Sequence, residues 1–291
     1  MAMWLQIIVN AAVAASLYLL VGFSFAVVYS LTRFFHFTHG AMIALGAYLV
    51  FSCRHFLQLP MPLAIMVSLI GTACAGGGIY LATYRPLMLR RASPLVLMLC
   101  SLGIYVVIQN LLSVCFGDFP LQIRATNVQE GVGFLGARIT SVQVTILTVM
   151  ASVLSLAGLA VRRTRFGRAL RAVADDPELS SIAGVSTDRV ILGAVAACAA
   201  VAGGAGILIA FEMDMIPTMG MNALMMGIIV AIIGSIQRIS RLVAGAITLA
   251  CAQQAVVVFL GAKWQDAVAF IILILFLLAR PSLAFGKTKH G

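Results

Sequence analysis

Charged residues are so sparse in this chain that they divide it into long apolar runs. Uncharged stretches cover 1–32, 34–53, 55–84, 92–117, 139–161, 190–211, 215–237, 242–262 and 267–279. A bilayer core of about 30 Å takes about 20 apolar residues in a helix, and eight of the nine stretches reach that length. The last has 13 residues and needs Trp264 to Asp266 from the preceding loop to complete a span. Continuous runs of this kind do not alternate with period two, which excludes an outer-membrane barrel. The pattern predicts an all-α integral membrane protein with about 8–9 transmembrane helices in one domain covering 1–291.

Two places interrupt the pattern. Around 33–47, Arg33 leads into Phe34-Phe35-His36-Phe37-Thr38-His39-Gly40, an aromatic and polar stretch in which Gly40 and Gly46 weaken a continuous helix. Around 215–222, Pro217 and Gly220 break the chain after Glu212 and Asp214. Both are expected to be broken or re-entrant. Gly76-Gly77-Gly78 and Ala202-Gly203-Gly204-Ala205-Gly206 predict helix faces against which another backbone packs closely. The longest outer loop is 117–139, marked by Gly117, Pro120, Asn127, Gly131, Gly133 and Gly136.

Composition agrees. The 291 residues are 62% hydrophobic and 10% charged, with a mean hydropathy of +1.09, too little polar surface for a water-soluble domain. The net charge of +10 has a location. With 162–189 cytoplasmic and the runs alternating outward, 15 cations fall inside: Arg33, Arg85, Arg90, Arg91, Arg162, Arg163, Arg165, Arg168, Arg171, Arg189, Arg238, Arg241, Arg280, Lys287 and Lys289. Arg54, Arg124, Arg138 and Lys263 fall outside. That is the positive-inside asymmetry, and it puts the N-terminus outside and the C-terminus in the cytoplasm. No charged n-region precedes the first run, so it reads as a retained helix and no signal peptide is expected. Cys53, Cys74, Cys100, Cys115, Cys198 and Cys251 are scattered singly and read as small apolar residues.

Candidate chemistry begins with what is missing. The chain has no G-x-x-x-x-G-K-[ST], H-E-x-x-H or G-x-S-x-G, so nucleotide phosphates are not held by the P-loop route. His36 and His39 form an H-x-x-H with no carboxylate or cysteine nearby in sequence to complete a metal site. No charge sits mid-run, which argues against proton or sodium coupling within the chain. The inner loop, by contrast, encodes structure. Phe166, Leu170 and Val173 recur at helical spacing, and Arg165, Arg168 and Arg171 share another face. Asp175 or Asp176 offers an N-cap, Pro177 suits the first helical position and Glu178 favours the helix start. Leu179, Ile182 and Ala183 line one side, and Gly184 supplies the stop. A short stiff helix projecting from a membrane domain suits force exchange with a soluble partner; a solvated loop is the plainer alternative.

The run from Thr164 to Ile209, Thr-Arg-Phe-Gly-Arg-Ala-Leu-Arg-Ala-Val-Ala-Asp-Asp-Pro-Glu onward through Ala-Gly-Val and Ala-Gly-Gly-Ala-Gly, resembles the permease subunits of Liv-type ABC importers of branched-chain amino acids, urea or amides. His36-Phe37-Thr38-His39-Gly40 resembles the family's Asn-Phe-Ala-His-Gly element, with Leu45-Gly46-Ala47-Tyr48 following. His36 in place of Asn and Thr38 in place of Ala are departures, and Ile232-Ile233-Gly234-Ser235 with Gly245-Ala246 keeps only part of a later glycine-rich stretch. The resemblance implies an inner-membrane, multi-pass permease that pairs with a second permease, two cytoplasmic ATPase subunits and a periplasmic binding protein. It implies no cofactor in this chain, ATP being bound by the partners. It implies that Gly167, Arg168, Arg171, Asp175, Asp176, Pro177, Glu178 and Gly184 form the element that docks on the ATPases, and that Thr38, His39 and Gly40 lie near the translocation path. Gln109, Asn110 and Asn222 are further candidates for that path, or for ordinary interhelical hydrogen bonds. A stand-alone channel for a small neutral solute and an intramembrane enzyme using His36 and His39 are the competing readings.

Overall fold

The computed structural model describes residues 2–123, 131–134, 137–234 and 239–279. Arg124, Asn127, Gly136, Ser235, Arg238, Arg280, Lys287 and Lys289 therefore lie outside the described residues. The chain forms α1 (Ala2–Thr32), α2 (Thr38–His55) and α3 (Met61–Ile79), which runs through a π-helical turn (Tyr80–Tyr84) into α4 (Arg85–Leu89). Then come α5 (Pro94–Phe116), a hairpin of β1 (Val132–Phe134) and β2 (Ala137–Ile139), and α6 (Ser141–Arg163). The polar stretch forms α7 (Arg165–Asp175) and α8 (Pro177–Ile182). The chain closes with α9 (Thr187–Glu212), α10 (Met219–Gly234), α11 (Ile239–Phe259) and α12 (Gln265–Ala279).

Among the described residues, seven helices are long and apolar enough to cross a membrane: Trp4–Thr32, Met61–Leu89, Pro94–Phe116, Ser141–Arg163, Thr187–Glu212, Ile239–Phe259 and Ala262–Ala279. The final one does recruit Trp264 through a 3-10 turn (Ala262–Trp264). The two remaining apolar runs become α2, 18 residues long, and α10, 16 residues long, both packed inside the bundle against α1, α9 or each other. They fall at the interruptions read from the sequence. The first break is narrower than expected, because only 33–37 leaves helical geometry while 38–55 is continuous. Left-handed backbone at Arg33 (φ 59°) ends α1. The second break spans 213–218 and is pinned by a bridge between Leu121 and Met215.

Gly40 and Gly46 do not break α2; they let other backbones reach it. A Cβ on Gly46 would overlap the backbone of Gly203 in α9, and one on Gly220 of α10 would overlap the carbonyl of Gly40. Lipid offers no hydrophobic drive for helices to associate, so close backbone approach and interhelical hydrogen bonds hold them together. Ser68 of α3 donates to the Gly46 carbonyl at 2.7 Å in the same junction. In the run Gly76-Gly77-Gly78, Gly76 meets Ala199 of α9 and Gly77 lies near Ala196 and Leu192, but Gly78 faces open space. The π turn follows from Pro86, which lacks an N–H and would crowd the carbonyl four residues earlier in a regular helix.

Polar ends sort into two groups. At one end Gln6 donates to the Arg138 carbonyl and Gln143 to Glu212. At the other, Arg33 reaches the last turn of α7 and Arg85 pairs with Asp188. Arg33 and Arg85, counted to one face by charge, thus lie at one end of the bundle, and Arg138, counted to the other, at the opposite end.

Candidate functional site

The break between α1 and α2 is lined with buried polar groups. Ser24, Thr38, His39 and Ser101 are each at most 2% exposed. The Thr38 hydroxyl donates to the Ser101 carbonyl of α5 at 3.0 Å and lies 2.5 Å from the Tyr84 hydroxyl. A hydroxyl has one proton, so Tyr84 is the donor in that second bond. Ser101 Oγ accepts from the Phe37 backbone N–H at 3.1 Å. His39 Nε2 lies 2.7 Å from Ser24 Oγ, which donates to the Val21 carbonyl at 3.0 Å; Ser24 is then the acceptor for an Nε2–H on His39. One helix start is therefore tied to α1, to the π turn and to α5. His36 is buried with neither ring nitrogen hydrogen-bonded. Its ring packs 4.8 Å from Tyr84 and 5.6 Å from Phe34, centroid to centroid. An uncharged pocket of this kind suits an aromatic gasket, and no cluster of three metal-binding side chains occurs among the described residues.

The polar stretch after α6 folds as its sequence dictates. Thr164 caps α7 by accepting from the Gly167 N–H at 2.9 Å. A Cβ on Gly167 would overlap the backbone of Ala160 and Val161, so α7 turns back tightly on α6. Asp176 is the cap of α8, accepting from Glu178 and Leu179 N–H groups at 2.9 Å, with Pro177 in the first turn. Asp175 ends α7 instead. Gly184 takes φ 83°, the left-handed stop. Arg168 and Arg171 of α7, like Asp175, Asp176, Pro177 and Glu178, leave their side chains open to solvent or only partly covered. Leu179 and Ile182 are 63% and 83% exposed, an apolar tip left largely uncovered by the described residues.

The other side of α7 is sealed into the bundle. Val173 is fully buried in one apolar cluster with Val28, Leu31, Phe34, Tyr80 and Tyr84. Phe34 and Tyr84 are also the rings that flank His36, and Tyr84 bonds Thr38. Arg33 adds a bond from Nη2 to the Ala174 carbonyl at 2.5 Å. A second route leaves α8 through Gly184 to Asp188, whose carboxylate meets Arg85 Nε at 2.8 Å, directly after Tyr84. The first route reaches the Thr38 junction through Tyr84, and the second ends at Arg85, the residue after Tyr84.

Gln109, Asn110 and Asn222 stand apart from it. Asn110 is exposed on α5 and donates to the Val106 carbonyl at 2.7 Å; Gln109 is partly covered and Asn222 of α10 is exposed. Sequence reading missed Ser24, Tyr84 and Ser101, which look like ordinary helix residues until the fold brings them together. It also missed Arg85 and Asp188, although Pro86 was a visible sign of an irregular turn beside them.

Residues 7–277 match the family model described as the branched-chain amino acid transport system permease component. The chain belongs to this family. The permease is 28% identical to the high-affinity branched-chain amino acid transport system permease protein LivH of Escherichia coli K12, over 98% of its own length and 96% of the relative's. It is equally similar, 28%, to BraD of Pseudomonas aeruginosa, covering 98% and 97% of the two chains. A probable branched-chain amino acid transport permease protein of Methanocaldococcus jannaschii is 24% identical over 95% and 90%. In fold, the permease resembles PsaBC from Streptococcus pneumoniae, solved in complex with a Fab, with a TM-score of 0.54 at 11% identity over 95% of this chain and 92% of that one. It is a membrane-embedded transport subunit.

Proposed function

We propose that this permease carries branched-chain amino acids or a related small polar solute inward, driven by ATP that separate cytoplasmic ABC ATPase subunits hydrolyse. A second permease chain and a periplasmic solute-binding protein complete the assembly. In this reading the N-terminus is outside, the C-terminus is cytoplasmic, and the bacterial inner membrane holds the spans. Residues 162–189 are the cytoplasmic coupling loop and 117–139 the outer loop of a single permease domain.

The observation that carries the coupling role is the two-sided character of α7 and α8. Leu179 and Ile182 offer an apolar tip to a soluble partner while Val173, on the same rigid unit, is locked among the residues that hold Thr38. Gly167, Arg168, Arg171, Asp175, Asp176, Pro177, Glu178 and Gly184 build and charge that unit. ATPase closure would displace the tip, and Val173 and Asp188 would pass the motion to Thr38, His39 and Gly40 at the start of α2. The half-covered Gln109 and exposed Asn110 give α5 a polar strip on a membrane-facing surface, which suits a path shared with the second permease better than lipid contact. Asn222 is the corresponding candidate at the start of α10.

The deciding experiment is leucine uptake into proteoliposomes. Uptake is expected only with the second permease, the ATPase subunits, the binding protein and ATP all present. Uptake by this chain alone would replace the reading with that of a stand-alone channel.

A further inference from the structure

Next to the coupling unit lies a half-open groove of about 230 Å³ lined by Tyr80, Leu81, Arg85, Asp188, Arg189 and Leu192. From this geometry we infer that it holds one anionic phospholipid, its phosphate between the two guanidinium groups and an acyl chain running along α3. The site is independent of which solute the permease carries.

Charge supports the headgroup. The wall has two cations and one carboxylate, a net single positive charge, with Asp188 paired to Arg85 through Nε and Arg189 left over. Arg189 is exposed and has no ion pair among the described residues. Arg189 lies in the first turn of α9, the end of a 26-residue helix that carries partial positive charge, and Arg85 meets the same turn through Asp188. Arg90 and Arg91 follow directly after the end of α4, so the groove sits at the cation-rich end of the bundle. Basic pockets between membrane helices at that level suit lipid headgroups.

Shape supports the acyl chain and argues against a free phosphate. Leu81 and Leu192 form an apolar wall that an inorganic anion would not use. Leu81 continues a membrane-facing row with Gly78, Cys74 and Ile70 at helical spacing, all exposed. A Cβ on Gly78 would meet nothing within 4 Å. The row therefore has a side-chain-free gap at Gly78, about one helical turn from Leu81 of the groove wall.

Native mass spectrometry of the detergent-purified full chain with added phosphatidylglycerol, phosphatidylcholine or inorganic phosphate tests the site. One phosphatidylglycerol should stay bound in preference to phosphatidylcholine and resist millimolar phosphate. Arg189→Gln should lower its retention about fivefold, the weight of one interfacial cation, and Gly78→Leu should lower it by filling the gap. Neither side chain packs in the core, so both variants fold. Equal retention of the two lipids, or unchanged retention in Arg189→Gln, would overturn the inference. Displacement by inorganic phosphate with Gly78→Leu behaving as the parent would mark a free-anion site and overturn it equally.

Discussion

Thr38 ties the start of α2 to both the π turn and α5. Its hydroxyl satisfies the Tyr84 hydroxyl and the Ser101 carbonyl at once, in an interior where a lost partner costs about 1–3 kcal/mol. Thr38→Val keeps the volume and removes both bonds. ATP-driven uptake should fall about tenfold while the protein still inserts, and Tyr84→Phe should behave alike. If the two act through one bond, the double variant should be no worse than the worse single one; additive losses in uptake would place them in separate roles. Residues of this kind were half legible. Thr38, His39 and Gly40 stand out because polar groups and glycine are unusual in an apolar run. Ser24, Tyr84 and Ser101 do not, since a serine or tyrosine in a membrane helix is unremarkable until folding brings it against another.

At the scale of elements, α7 and α8 were readable nearly in full, because caps, proline and glycine act locally and each leaves its mark in sequence. Asp176 and Gly184 do what their positions announce. Asp176→Ala removes the cap of α8, at a cost of about 1 kcal/mol, and co-purification with the ATPase subunits should weaken. Gly184→Leu forces a branched side chain into left-handed backbone and should abolish coupling while leaving the protein in the membrane; undiminished ATPase capture and transport in both variants would contradict the docking role. Val173→Ala should cost on the order of 2 kcal/mol in thermal unfolding and leave the exposed tip untouched. It is expected to keep ATPase binding but lose part of the uptake per ATP hydrolysed. The apolar spacing of Leu170 and Val173 was legible, but what seals that face was not, because the cluster joins residues from α1, the π turn, α7 and α9 that no local pattern connects. The exact extent of the break at 33–37 was hidden for a related reason. Gly40 and Gly46 weaken an isolated helix, yet close packing by Gly220 and Gly203 outweighs that tendency.

For the whole molecule, the length of the apolar runs carried most of the architecture. Two of the runs turned out to be shorter inner helices, since burial against other helices relaxes the length that lipid demands of an exposed span. Orientation is tested by membrane-impermeant maleimide on single cysteines in a cysteine-free background: Ile182→Cys should be labelled only from the cytoplasm and Phe119→Cys only from outside. The central claim is that α7 and α8 form one stiff body whose motion reaches α2. The most direct measurement places spin labels at Ile182 and at Leu57, beyond the far end of α2, both exposed, and records their separation by pulsed electron resonance in the assembled transporter. The account predicts a narrow distance distribution that shifts as a single peak when ATP is trapped. A broad distribution, or a narrow one indifferent to nucleotide, would contradict it.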